Sequence, residues 1–119
     1  RNSTGGLLTW AGERVSGHGN LGHLEGSYPV VLATVDPIDV INPQRNPAGV
    51  RVQVTPTQGR VRILLATSPT SDDFWYVDAE PGVGATLDGY LVRHTTHRAI
   101  FLEALDGPAS GVRWTVEAR

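Results

Sequence analysis

The sequence predicts an all-β fold, either an antiparallel β-sandwich or a Greek-key barrel, built from about eight to nine short strands. Apolar and polar residues alternate with a period of two, most clearly where Val50, Val52 and Val54 are separated by polar residues. The chain contains 14 glycines and 8 prolines, which place turn signals at intervals of about eight to twelve residues. No long segment has the period of an amphipathic helix.

The first half of the chain is predicted to contain short strands separated by polar connections. Leu7–Trp10 opens a first strand, and the dense apolar run Tyr28–Val35 is typical of a strand buried on both faces. Between them, we interpret Gly17–Gly26 as a glycine-rich connection. A short strand at Ile38–Ile41 precedes the turn-forming cluster Asn42–Pro47.

Two antiparallel hairpins are predicted in the second half of the chain. The first pairs a strand at residues 50–55 with Arg60–Thr67 across the turn Pro56–Gly59, and Val61, Ile63 and Leu65 share one face of the second strand. The second pairs Tyr90–Arg93 with Arg98–Leu105. The remaining elements are a short aromatic strand at Phe74–Val77, a turn at Glu80–Gly84, and a final strand that directs Val112, Trp114 and Val116 to one side.

Length and composition limit the classes of function. The 119 residues predict one domain over residues 7–119, preceded by a loose polar segment at residues 1–6. A net charge of −2 predicts no nucleic-acid partner, and the longest apolar run is too short to span a bilayer. Because cysteine and methionine are both absent, disulfides and thiol catalysis are excluded, and we expect an extracytoplasmic location, either secreted or in the cell envelope.

Four histidines form a candidate metal site. If residues 95 and 96 are the loop of the second hairpin, His94 and His97 face each other with Cβ atoms about 4.5–5.5 Å apart. His18 and His23 in the glycine-rich connection could complete a four-nitrogen site for copper or zinc. Such a site would be similar to the copper-only superoxide dismutases in ligand number, although the chain lacks their H-x-H motif. The alternative is that all four are ordinary exposed histidines.

Three consecutive aromatic residues form a candidate binding site. Phe74, Trp75 and Tyr76 cannot all face one core, because side chains alternate along a strand. Either Trp75 or the Phe74/Tyr76 pair therefore points outward, where an aromatic side chain suits contact with a protein or a glycan. The alternative is a strand buried between a sheet and a covering loop.

The second half of the chain carries motifs in the order Gly59–Ala66, Ser71–Val77, Gly89–Val92 and Trp114–Val116. Over roughly residues 50–117 this order resembles the bacterial pre-peptidase C-terminal domain family, a group of small β-sandwiches. The resemblance implies a non-catalytic accessory module of secreted or cell-surface proteins. The acidic pair Asp72-Asp73 is adjacent here, whereas the family spaces the two by one residue, so calcium is less expected than copper or zinc.

These observations favour a non-catalytic extracytoplasmic accessory module that contacts a protein partner, a surface assembly or a glycan, and that needs no cofactor. The sequence does not decide whether the chain is an enzyme. A first alternative is a histidine-based copper or zinc domain with superoxide dismutase-like chemistry. A second is a structural subunit of a cell-envelope or virion assembly, in which neighbouring subunits would cover the edge strands.

Overall fold

The computed structural model describes residues 8–10, 16–26, 29–35, 49–66, 74–90 and 99–118. This part of the chain forms nine β-strands in two sheets, which confirms the all-β prediction, and it contains no helix that could cross a membrane. The strands are β1 (Leu8–Trp10), β2 (Ser16–Leu24), β3 (Val30–Val35), β4 (Gly49–Thr55), β5 (Val61–Ala66), β6 (Phe74–Ala79), β7 (Ala85–Tyr90), β8 (Ala99–Ala104) and β9 (Ala109–Ala118).

One sheet has the strand order β1-β3-β8-β5-β6, and the other has the order β2-β9-β4-β7. Neighbouring strands are antiparallel, except that β1 and β3 are parallel. Strands β6 and β7, at the edges of their respective sheets, lie close to each other at one side of the sandwich.

The main core lies between the two sheets, where alternate residues of each strand point inward. Val50, Val52 and Val54 of β4 are buried against it, as the alternation predicts. Val112, Trp114 and Val116 of β9 are buried in the same core, on one side of the strand as predicted. Burying each such side chain stabilises the fold by about 1.5–3 kcal/mol, so this layer is the main driving force for folding. From the five-stranded sheet the core receives Leu32, Val61, Ile63, Leu65, Ala79, Ile100, Leu102 and Ala104.

The five-stranded sheet is apolar on its outer face as well. Leu64 and Ala66 of β5 and Ala99 and Phe101 of β8 are all buried there, in a cluster separate from the main core. Both central strands therefore consist of nearly continuous apolar residues, as expected for strands buried on two faces. The outer face of the four-stranded sheet is polar, so the two outer faces differ in chemistry.

The first predicted hairpin is wrong. Strands β4 and β5 lie in different sheets: β4 pairs with β7 and β9, and β5 pairs with β6 and β8. Residues 56–60 carry the chain from one sheet to the other instead of turning it back. The inward faces of both strands were predicted correctly, because two facing sheets direct their apolar residues into one core just as a hairpin does.

The second predicted hairpin is also wrong. In that hairpin Ala99, Ile100 and Phe101 would pair with the residues around Leu91. The structure instead pairs these three residues with β3 on one side and with β5 on the other, so neither edge is left for a hairpin partner. The preceding strand, β7, belongs to the opposite sheet and begins at Ala85, earlier than predicted.

The predicted glycine-rich connection Gly17–Gly26 is a strand over most of its length. Strand β2 pairs with β9 from Ser16 to Leu24 and forms an edge of the four-stranded sheet. Gly19 lies directly opposite Trp114, so no side chain at that position competes with the large buried indole. The predicted strand Ile38–Ile41 and the loose segment at residues 1–6 lie outside the described residues.

Connections between the sheets meet at one end of the sandwich, which we call the crossover corner: residues 56–60 and 105–111. Gln58 and Ser110 exchange backbone hydrogen bonds of 3.2 and 3.0 Å, and Arg60 O accepts one from Leu105 N at 2.9 Å. The Arg60 guanidinium donates to both carboxylate oxygens of Asp106, at 2.7 and 2.9 Å. The corner thus joins the β4–β5 and β8–β9 connections.

A valine pair tests the packing assignment. Val52 is fully buried between the sheets, whereas the side chain of Val83 is 80% exposed in the β6–β7 turn. We expect Val52→Ala to lower the free energy of unfolding by about 2 kcal/mol, through lost burial and the cavity left behind. The matched control Val83→Ala should change it by less than about 0.5 kcal/mol. Equilibrium urea unfolding measures both, and equal losses would contradict the inward assignment of β4.

Candidate binding site

The three consecutive aromatic residues lie on β6, the edge strand of the five-stranded sheet. Phe74 and Tyr76 point to the outer face of the sheet, while Trp75 points toward the opposite sheet. Tyr76 is 51% exposed and Trp75 is 41% exposed, because an edge strand has sheet on one side only. Each face of β6 therefore carries a partly exposed aromatic ring. The two orientations that the sequence offers as alternatives both expose an aromatic side chain.

Tyr76 is the centre of a cluster that we call the β6 patch: Arg62, Phe74, Tyr76 and Asp78. The Arg62 guanidinium carbon lies 4.3 Å from the centroid of the Tyr76 ring, within the range of a cation–π interaction. The Phe74 and Tyr76 rings have centroids 5.7 Å apart and are tilted by 54°. Contacts with both neighbours hold the exposed phenol ring in place.

An ion pair fixes the arginine of the β6 patch. Arg62 and Asp78 are direct cross-strand neighbours, and Arg62 donates hydrogen bonds of 2.7 and 3.1 Å to the two carboxylate oxygens. The hydrogen bonds from Arg62 lower the pKa of Asp78, against the opposing effect of partial burial. The same hydrogen bonds raise the pKa of Arg62. Both groups are therefore charged at neutral pH, in a two-point geometry that orients the guanidinium.

Trp75 closes the side of the sandwich where the two edge strands meet. A Cβ atom built on Gly89 of β7 would lie 2.5 Å from Leu65 Cδ2 and 3.3 Å from Trp75 Cε3. Only a residue without a side chain lets the indole and the leucine approach the β7 backbone this closely. Gly89 therefore determines where the Trp75 ring lies.

Sequence reasoning found the aromatic residues of the β6 patch but missed Arg62 and its role. The signal was present, since Arg62 interrupts an apolar strand and must face away from Ile63 and Val61. Its partner could not be identified without the β5–β6 register, which places Asp78 directly opposite.

The predicted histidine ligands are only partly within the described residues. His18 and His23 both lie on β2, five positions apart, which corresponds to about 17 Å along a strand. His23 Nε2 lies 3.2 Å from Glu25 Oε2. His94 and His97 lie outside the described residues, and the hairpin that was to bring them together does not form. Within the described ranges no three potential ligands form a metal-binding group, so the four-histidine site stays a prediction.

No protein-family model, curated protein or solved structure matches this chain. The resemblance to the pre-peptidase C-terminal domain family therefore stays a prediction. The fold and the β6 patch have to be interpreted from the physical chemistry of their residues.

The Arg62–Asp78 pair predicts a defined response to acid. The pKa of Asp78 is lower in the folded protein than in the unfolded chain, where it is about 3.9. The contribution of the ion pair to the free energy of unfolding is therefore complete above the unfolded pKa of Asp78. It is lost as the pH falls through the folded pKa of this residue. At neutral pH, Arg62→Gln should lower the free energy of unfolding by about 1 kcal/mol.

The direct measurement is an NMR titration of the Asp78 carboxyl carbon. Its midpoint should lie below the ordinary aspartate value in the wild-type protein and should be higher in Arg62→Gln, where burial still raises the pKa and only the charge of Arg60 still lowers it. Arg113→Gln, an exposed arginine on the other sheet, is the control and should leave the midpoint unchanged. If Arg62→Gln leaves the Asp78 midpoint unchanged, the ion pair does not form in solution.

Gly89 tests how closely Leu65 packs against the β7 backbone. Its φ angle is not in the left-handed region, so an added methyl group acts only through the space it occupies. We expect Gly89→Ala to destabilise the protein by about 1–3 kcal/mol through overpacking. In a Leu65→Ala background the same change should cost about 1 kcal/mol less, because the added methyl group no longer meets the Leu65 side chain. Urea unfolding of the wild-type protein, the two single variants and the double variant measures the coupling energy. Strictly additive effects would contradict the contact.

Proposed function

We propose that this chain is a non-catalytic accessory module that binds a partner protein through the β6 patch. The observation that carries the proposal is the half-exposed Tyr76 ring, held between the Arg62 guanidinium and the Phe74 ring. Tyrosine and arginine are enriched among the residues that dominate protein–protein binding energy. An exposed aromatic side chain with a fixed arginine beside it has the composition of such a site.

The rigidity of the β6 patch supports this interpretation. Association immobilises side chains, and each rotamer-rich side chain ordered on binding costs about 0.5–1.5 kcal/mol. Arg62 is already held by two hydrogen bonds to Asp78, and Tyr76 is already packed against its neighbours. Binding of a partner therefore requires little further ordering of these two side chains.

The surroundings of the β6 patch also suit a protein partner. The buried Leu64 and Phe101 lie on the same face of the sheet, and the half-buried Phe74 packs against that cluster. The Arg62–Asp78 pair adds charged groups beside this apolar region. Leu64 and Phe101 are only 5% and 2% exposed, so the surface open to a partner is the Tyr76 ring with the half-buried Phe74 beside it. An exposed aromatic residue next to polar groups is a usual arrangement in a protein–protein interface.

A protein partner fits the β6 patch better than a glycan. At the β6 patch a sugar ring would have to stack on the Tyr76 side chain, and one face of that ring is covered by the guanidinium of Arg62, 4.3 Å from the ring centroid. The resemblance to secreted accessory domains and the absence of cysteine and methionine support an extracytoplasmic place for this module, which is part of the proposal.

Site-specific photocrosslinking in cells tests the proposal. A photoreactive phenylalanine analogue at position 76 should crosslink to a discrete protein, which is then identified, purified and mixed with this chain. The purified pair should bind, and Tyr76→Ala should raise the Kd by at least about tenfold, the effect of losing about 1.4 kcal/mol.

The matched control places the same analogue at Asn20, an exposed residue on the outer face of the other sheet that lines neither depression described below. The same crosslinked protein from both positions would indicate random contact and would contradict the proposal. So would the absence of a protein product, or quenching of Trp75 fluorescence by an oligosaccharide that competes with crosslinking.

A further inference from the structure

The outer face of the four-stranded sheet carries a second constellation, which is separate from the β6 patch. The cross-strand register aligns His18, Thr115, Gln53 and Thr86 in one row across β2, β9, β4 and β7. All four side chains are exposed and polar. We call this surface, with the charged residues on either side of the row, the polar face.

Two depressions lie on the polar face, one on each side of a central ridge. The ridge is a hydrogen bond of 3.2 Å that Thr115 Oγ1 donates to Gln53 Oε1, and both residues line both depressions. One depression, of about 430 Å³, extends toward Thr86 and Arg113. The other, of about 350 Å³, extends toward His18 and Arg51. Both depressions are open to solvent, so each would contact one face of a ligand and leave the other face exposed.

The charges on the polar face compensate each other. Arg51 Nε donates to Asp88 Oδ1 at 2.9 Å, and Glu117 is the cross-strand neighbour of Arg51 on the other side. Hydrogen bonding to Asp88 raises the pKa of Arg51, so the guanidinium stays charged beside two carboxylates. Arg113 borders the other depression, so across the described part of the polar face two guanidinium groups balance two carboxylates. The surface therefore lacks the excess positive charge that phosphate or nucleic acid requires, and it fits a ligand without net charge.

The described side chains of the polar face also do not have the composition of a protein interface. Such interfaces have aromatic, methionine and arginine residues at an apolar centre, with the polar residues at the rim. Here the centre is the Gln53–Thr115 hydrogen bond, and Val83 is the large exposed apolar residue at the border of one depression. The groups present are hydroxyl, amide, imidazole and guanidinium donors together with hydroxyl, amide and carboxylate acceptors.

We propose that the polar face binds a neutral oligosaccharide, with one sugar unit in each depression and the Gln53–Thr115 ridge between them. Sugar hydroxyl groups donate and accept hydrogen bonds at the same time, which matches a surface that presents both kinds of group in alternation. The Gln53 amide accepts from Thr115 and offers its NH₂ group to the ligand. This site does not depend on the β6 patch or on the function proposed for it.

The test is an NMR titration of the ¹⁵N-labelled protein with cellohexaose, xylohexaose, chitohexaose and laminarihexaose, each added to about 5 mM so that a Kd near 1 mM is detected. We expect saturable shifts of Gln53, Thr115 and Thr86 with at least one of the four. Gln53→Ala should weaken that binding by about tenfold or more. A heparin hexasaccharide, which is strongly anionic, should bind less tightly than the neutral sugar.

The chain provides a closely matched control. Gln58 accepts a hydrogen bond from Ser110 Oγ at 3.2 Å, so Gln58→Ala removes the same kind of contact at an exposed site that lines neither depression. It should leave sugar binding unchanged. The proposal is overturned if no neutral sugar gives saturable shifts, if the shifts map to Tyr76, if heparin binds more tightly, or if both glutamine variants weaken binding equally.

Discussion

The architecture depends on the hydrogen-bonded crossover corner, where two connections change sheets side by side. Thr57 N donates to Ser110 O and Gly111 O, both at 3.1 Å, and Gly82 N donates to Pro56 O at 2.9 Å, which adds the β6–β7 turn to the same end. Gly111 has φ +59°, and a Cβ atom there would lie 2.5 Å from Thr57 Oγ1. A side chain at that position would therefore displace Thr57, whose backbone N–H and Oγ1 both donate hydrogen bonds to the other connection.

The corner also sets where the functional surfaces lie. Because β5 enters the five-stranded sheet directly after the corner, its register with β6 places Arg62 opposite Asp78. Because the β6–β7 turn is bonded to the same corner, β7 is held so that Gly89 comes under Trp75. The β6 patch is thus a consequence of two connections fixed at the corner, next to the Arg62–Asp78 end of its strands, and the local sequence of β6 alone does not determine it.

Sequence alternation predicted the inward face of nearly every strand that it identified, but it did not predict strand partners. The valines of β4 and the apolar residues of β5 enter the same core from facing sheets, and their spacing is equally compatible with a hairpin. Strand β2 was missed because its glycines indicate a loop, whereas Gly19 gives room to Trp114. The aromatic residues of the candidate site could be found because they are consecutive in the sequence. Arg62 lies on a different strand, so it became part of the site only once the β5–β6 register was known.

The two outer faces follow from the different burial of the two sheets. In the five-stranded sheet both faces of β5 and β8 are apolar, so polar groups are confined to the strand ends and the β6 edge, where Arg62 and Asp78 satisfy each other beside the exposed Tyr76 ring. In the four-stranded sheet only the inner face is apolar, so the outer face is free to carry an uninterrupted row of hydrogen-bonding side chains. A protein contact at the β6 edge and a sugar contact on the polar face would use opposite surfaces of the sandwich. The same chain could hold both ligands at once without either one competing for the other's residues.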